Sequence, residues 1–155
     1  MDEPHANALL LQADARLRRG DHDRASDLLA AARPLGLAAS YAWRFELRVL
    51  ELSARLSADA GSDPRPQAAR LAKLARARGA PKYEALGLGH AGRRRAAAAI
   101  ARRLGSDLLI LKVGPTREAA DAAARIARRL PVDLTQSFRR NWLPAIEARE
   151  PVGPS

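Results

Sequence analysis

The 155-residue chain has no cysteine, is 47% hydrophobic and 28% charged, and carries a formal charge of +10. This is the composition of one globular domain, and it excludes disulfides, thiolate metal sites and cysteine nucleophiles. There are 35 Ala and 23 Leu residues but only eight Val or Ile, so strands are disfavoured and an all-α fold with a thin, alanine-lined core is expected.

The charge is unevenly spread. Residues 1–60 hold 8 basic and 9 acidic groups, residues 61–130 hold 16 and 5, and residues 131–155 hold 3 and 3. The excess therefore lies in the middle of the chain, and it is almost entirely arginine, with 24 Arg against 3 Lys. No stretch reaches the roughly 18–20 uncharged apolar residues that span a bilayer, and the chain opens on Met1-Asp2-Glu3-Pro4, acidic where a signal peptide is basic. A cytoplasmic location without a membrane span is expected.

In chain order, Leu9, Ala13 and Leu17 recur at helical spacing over 6–19, and Gly20-Asp21 breaks the pattern. A second helix over 23–32 presents Ala25, Leu28, Leu29 and Ala32, which makes an antiparallel hairpin. A third, over 39–58, carries two apolar stripes: Ala42, Phe45, Val49, Leu52 and Leu56 on one, Trp43, Leu47, Leu50 and Ala54 on the other. Two stripes suit a helix that touches neighbours on two sides.

After Gly61-Ser62-Asp63-Pro64, a helix over 65–78 turns Ala68, Leu71, Ala72 and Ala75 inward, and Pro81 starts another around Tyr83, Leu86 and His90. Beyond Gly92, the segment 93–104 places Ala97, Ile100 and Leu104 on one face and Arg95 and Arg102 on the opposite one. Following Gly114-Pro115, the segment 116–130 sets Ala119, Ala123, Ile126 and Leu130 against Arg117, Asp121, Arg125 and Arg128. Asp133 and Gln136 suggest a capping box for a last helix bearing Leu134, Phe138 and Trp142, limited by Pro144. The tail from Glu150 to Ser155 is expected to fray.

Counted from the turns, a pattern recurs. Ala25, Leu29 and Ala32 follow Gly20 by five, nine and twelve residues; Ala68, Ala72 and Ala75 follow Asp63 in the same way, and Ala97, Ala101 and Leu104 follow Gly92. The 72 residues from Gly20 to Gly92 equal two periods in the mid-thirties. Ala13, the Gly20-Asp21 turn, Ala25, Leu29, Ala32 and Pro34, echoed by Ala85, Gly92, Ala97 and Leu104, resemble tetratricopeptide repeats. The run Gly79-Ala80-Pro81-Lys82-Tyr83-Glu84-Ala85-Leu86, with Gly92 and Gly105-Ser106-Asp107-Leu108-Leu109, is similar to the degenerate C-terminal repeats of large bacterial regulators that join an ATPase module to a nucleotide cyclase or a DNA-binding output. The resemblance implies a curved stack of hairpins, a TPR-like α-solenoid of eight or nine helices, whose surface receives a peptide, a helix or another domain.

Two further chemistries compete with this reading. Gly87-Leu88-Gly89-His90-Ala91-Gly92 is a literal G-x-G-x-x-G, and the run 108–113 is strand-like, as a βαβ dinucleotide site requires. Against it stand a short, poorly apolar preceding strand and an acidic residue, Asp107, placed before the second strand. The alternative for the basic band, Arg93, Arg94, Arg95, Arg102, Arg103, Arg125, Arg128 and Arg129, is a nucleic-acid surface, although residues 84–137 offer no aromatic side chain for base stacking. His5, His22 and His90 have no metal-ligand spacing, and Ser26, Ser40, Ser53, Ser57 and Ser137 lack a nucleophile context. Tyr41, Trp43 and Phe45 on the third helix and Phe138 and Trp142 on the last suit core positions better than partner anchors.

The expectation is thus a tail at 1–5, a helical-repeat domain at 6–144 and a second tail at 145–155, with neither catalysis nor a cofactor. Its role is a scaffold or adaptor that docks a protein partner with an acidic segment through Arg94, Arg95, Arg102, Arg103, Arg125 and Arg128.

Overall fold

The computed structural model describes residues 2–37 and 42–149. Among these residues there are nine helices and no strand: α1 (Asp2–Arg18), α2 (His22–Leu37), α3 (Ala42–Asp59), α4 (Arg65–Ala77), α5 (Pro81–His90), α6 (Arg94–Arg103), α7 (Asp107–Val113), α8 (Thr116–Ala127) and α9 (Val132–Glu147). Consecutive helices fold back on one another as a stack of hairpins. Beyond these sequential contacts, α1 touches α3, α3 touches α5 and α5 touches α7, so these four helices form one layer, with α2, α4 and α6 each packed between consecutive members.

Helix stops explain the short connections. Gly20, Gly61, Gly79, Gly92 and Gly105 all adopt positive φ, from 63° to 82°, which an L side chain resists and glycine does not. After each, the next amide donates to the carbonyl five residues back: Asp21 to Arg16, Ser62 to Ser57, Ala80 to Ala75, Arg93 to Leu88 and Ser106 to Ala101. The same Schellman closure thus ends α1, α3, α4, α5 and α6, satisfying carbonyls that a helix terminus would leave unpaired.

Two apolar clusters make the core, and α3 belongs to both, as its two stripes require. Phe45, Val49 and Leu52 join Ala6, Leu10, Ala13, Leu17, Ala25, Leu28, Leu29 and Ala32 from α1 and α2. Leu47 and Leu50 face the larger cluster built from α4 to α9, around Leu71, Leu111 and Ile146. Small residues dominate the contacts: Ala68, Ala75, Ala85, Ala97, Ala98, Ala101, Ala119 and Ala122 are all fully buried. The alanine-lined core expected from composition is therefore present, and it lets helices approach closely.

Several boundaries differ from the sequence expectation. α1 begins at Asp2 rather than at residue 6, and α2 continues through Pro34 to Leu37 rather than stopping at residue 32. The expected start of α3 at residue 39 lies outside the described residues, as do Tyr41, Ser40 and the segment 150–155. α9 runs through Pro144 to Glu147 because Ile146, only 1% exposed, anchors the last turn in the core; burial there offsets the hydrogen bond that proline removes. The capping box is not formed: Pro131 caps α9 without a side-chain hydrogen bond. Leu104, expected inward, is 45% exposed, since α6 ends one residue before it.

The repeat spacing is also uneven. The outer helices begin at His22, Arg65, Arg94 and Thr116, so the interval shortens along the chain instead of holding a constant mid-thirties period. The segment 107–113, strand-like by composition, is a helical turn pair. Ser106 explains this locally, because its hydroxyl accepts the Leu109 amide at 3.2 Å and nucleates the helix.

Candidate functional site: an arginine-lined groove

The literal G-x-G-x-x-G has a packing role. Gly87 and Gly89 lie inside α5, and the expected strands at 82–86 and 108–113 are parts of α5 and α7, so the arrangement is not a βαβ dinucleotide site. Gly87 lets α5 lie directly on the backbone of α4, and Gly89 makes room for Val113 at the end of α7. Gly92 closes α5 with a φ of 82°.

The arginines of the expected band divide into two sets. Arg102 is ion-paired with Glu118, Arg125 donates to Asp107 at 2.9 Å, and Arg129 lies 3.6 Å from the other oxygen of the same carboxylate. These guanidinium groups are largely neutralised by neighbours on α7 and α8. Arg125 and, less closely, Arg129 hold the Asp107 carboxyl below its usual range, chiefly through the Arg125 hydrogen bond. Arg103 and Arg128 are exposed at the C-terminal ends of α6 and α8.

The second set is gathered around one depression. Arg93, Arg94 and Arg95, at the start of α6, line a groove of about 740 Å³ together with Gly92, Ala96, Pro115, Thr116 and Arg149. No carboxylate is among these lining residues. Among the described residues, no ion pair or hydrogen bond engages the guanidinium groups of Arg93, Arg94 or Arg95. Burial alone lowers the Arg94 pKa from its ordinary value. Burial, then the charge of Arg94, pull the Arg149 guanidinium down to about 10. Burial is the main cause of both shifts, and the repulsion between Arg94 and Arg149 adds to the second.

Arg149 is fixed in place by backbone. Its Nη1 donates to the Gly114 carbonyl at 3.1 Å and its Nη2 to the Lys112 carbonyl at 2.9 Å, which caps the C-terminal end of α7 with a cation. Thr116 donates to the Ile146 carbonyl at 3.4 Å, tying the start of α8 to the end of α9 beside it. α6 and α8 both begin at the groove, and neither has a side-chain cap on its first amides, so helix dipoles add to the positive potential. Sequence reasoning found Arg93, Arg94 and Arg95 but missed Arg149, which it assigned to a tail; no local pattern marks a residue whose position depends on where α9 ends.

A different polar ladder lies on the layer of odd helices. Arg48 of α3 donates to Asn7 of α1 at 2.7 Å, Arg55 of α3 pairs with Asp14 of α1 at 2.7 Å, and His90 of α5 has its Nε2 3.5 Å from Glu51 of α3. Although burial raises the Asp14 carboxyl, hydrogen bonds and charge from Arg55 and Arg18 bring it below the ordinary value. Arg55 moves up, because Glu51 and Asp14 outweigh its burial. The Arg48, Glu51, Arg55 spacing of three and four residues was the available signal for this ladder. His90, expected on a helix surface, is instead turned against α3, its side chain 24% exposed.

The described aromatic residues of α3 and α9 pack on the core to different degrees. Phe45 is buried, its ring against Gly36, and Trp43, Phe138 and Trp142 are half-buried against the larger cluster. Phe138 and Trp142 meet with ring centroids 6.5 Å apart. Leu134 remains 51% exposed at the outer edge of α9. Among the described residues, no helix is long and apolar enough to cross a membrane. Comparison of the chain with protein-family models, with curated proteins and with solved structures finds no match.

Proposed function

We propose that the chain is a non-catalytic protein-interaction module of the tetratricopeptide kind, a scaffold or adaptor that docks an acidic segment of a protein partner. The observation that carries this reading is the groove formed by Arg93, Arg94, Arg95 and Arg149 without a lining carboxylate. Four arginines lining one depression favour an anionic segment, and the Gly114 and Lys112 carbonyls hold Arg149 in place before the partner arrives. The neighbouring helices contribute little more, since Arg102 and Arg125 already have carboxylate partners. The regulator-like run at 79–109 supports a role beside, or within, a larger signalling protein.

Affinity purification from the native cell extract with nuclease treatment, at low and moderate salt, tests the reading. A stoichiometric protein that survives nuclease and is lost with the charge reversals Arg94→Glu and Arg95→Glu is the expected result. Co-purification that vanishes with nuclease would replace it with the nucleic-acid alternative, in which affinity falls steeply with salt.

A further inference from the structure

We infer that the groove between the starts of α6 and α8 recognises a phosphate monoester carried by a protein segment, such as a phosphoserine, through Arg93, Arg94, Arg95 and Arg149. The inference rests on the protein-docking reading and specifies its ligand.

The distribution of charge selects a monoester. A carboxylate of Asp or Glu brings one negative charge, which one or two arginines satisfy, as Arg102 with Glu118 and Arg125 and Arg129 with Asp107 show in this protein. The groove is instead lined by four arginines, a match for the two charges and three terminal oxygens of a monoester. Arg94 and Arg149 are close enough that the charge of one depresses the pKa of the other; an anion held between them relieves that repulsion. Arg149 has two of its N–H groups fixed on the Gly114 and Lys112 carbonyls, so its plane is set before the ligand binds.

A nucleic-acid strand is a poorer fit. Its phosphodiesters carry one charge each and repeat along a chain, which calls for a stripe of free cations. Here the stripe is interrupted, because Arg102, Arg125 and Arg129 are paired within the protein. The residues lining the groove include no aromatic ring on which a base would stack.

The full chain can be titrated with inorganic phosphate and with acetate while backbone amide shifts are followed by NMR, then with a phosphoserine peptide, its glutamate counterpart and a single-stranded oligonucleotide. Phosphate, but not acetate, is expected to move the amides of Arg94, Ala96 and Thr116. The phosphopeptide is expected to bind at least about tenfold more tightly than the glutamate peptide, with affinity rising from pH 5 to 7.5 as the monoester loses its second proton near about 6. Arg94→Gln should erase that advantage with helicity retained, and Arg95→Gln, at an exposed position, serves where Arg94→Gln disturbs the fold. Equal affinity for both peptides, sensitive to Arg94→Gln, overturns the monoester and leaves acidic-segment docking standing. Binding of the oligonucleotide alone overturns both in favour of nucleic acid. Binding of none of the probes overturns the monoester site, and the purification described above then decides separately whether a protein partner exists.

Discussion

Gly87 of α5 lies against the backbone of Ala72 of α4: a β-carbon on Gly87 would stand 2.6 Å from the Ala72 amide nitrogen and 2.8 Å from the Ala68 carbonyl oxygen. Neither backbone atom can move aside as a flexible side chain would. Gly87→Ala should therefore separate α4 from α5 and destabilise the protein by about 2 kcal/mol, even after the helix-propensity gain of roughly 1 kcal/mol. The expected fall in melting temperature, followed by circular dichroism, is about 5 °C. Gly92→Ala offers the contrast, since open space surrounds that site and only its φ of 82° opposes a side chain; its cost should be about 1 kcal/mol.

The two ends of the arginine band should respond differently to neutralisation. Arg102→Gln removes a solvent-exposed pair with Glu118, so stability should change by less than about 1 kcal/mol and partner binding should stay the same. Arg94→Gln should weaken partner binding about tenfold, since it withdraws an unpaired, half-buried cation from the groove. A side-by-side affinity measurement on the two variants decides whether the groove or the whole band is the docking surface.

Asp14 links α1 to α3 through Arg55, and its depressed carboxyl pKa makes that link pH-dependent. A carboxylate that titrates lower in the folded than in the unfolded chain stabilises the fold above its ordinary value, and that stabilisation is lost as pH falls through the folded value. Asp14→Asn should cost about 1 kcal/mol near neutral pH. It should also flatten the stability curve below the ordinary value of 3.8, which urea unfolding at a series of acidic pH values will register.

Phe138 and Leu134 sit one helical turn apart on α9 but in different surroundings. Phe138 packs on the larger core cluster, whereas Leu134 is 51% exposed. Phe138→Ala should cost about 2 kcal/mol, and Leu134→Ser should stay within about 0.5 kcal/mol. Equal losses in thermal unfolding would mean that α9 covers the core along both positions.

Legibility followed the range of the interaction. The double stripe of α3 was readable because both core clusters act on one helix at a period of 3.6 residues. The turn glycines were readable because positive φ is a property of single residues. The run 108–113 is ambiguous in the sequence, because its composition suits a strand and the Ser106 cap that starts the helix is a single weak signal.

An all-α chain with an alanine-lined core and glycine-closed helices follows from local preferences of Ala, Leu and Gly. Which partner each arginine meets depends instead on how the helices pack. Arg102 and Arg125 meet carboxylates 16 and 18 residues away, and Arg149 reaches carbonyls 35 and 37 residues back. Charge neutralisation depends on distances in space, and no spacing along the chain records them.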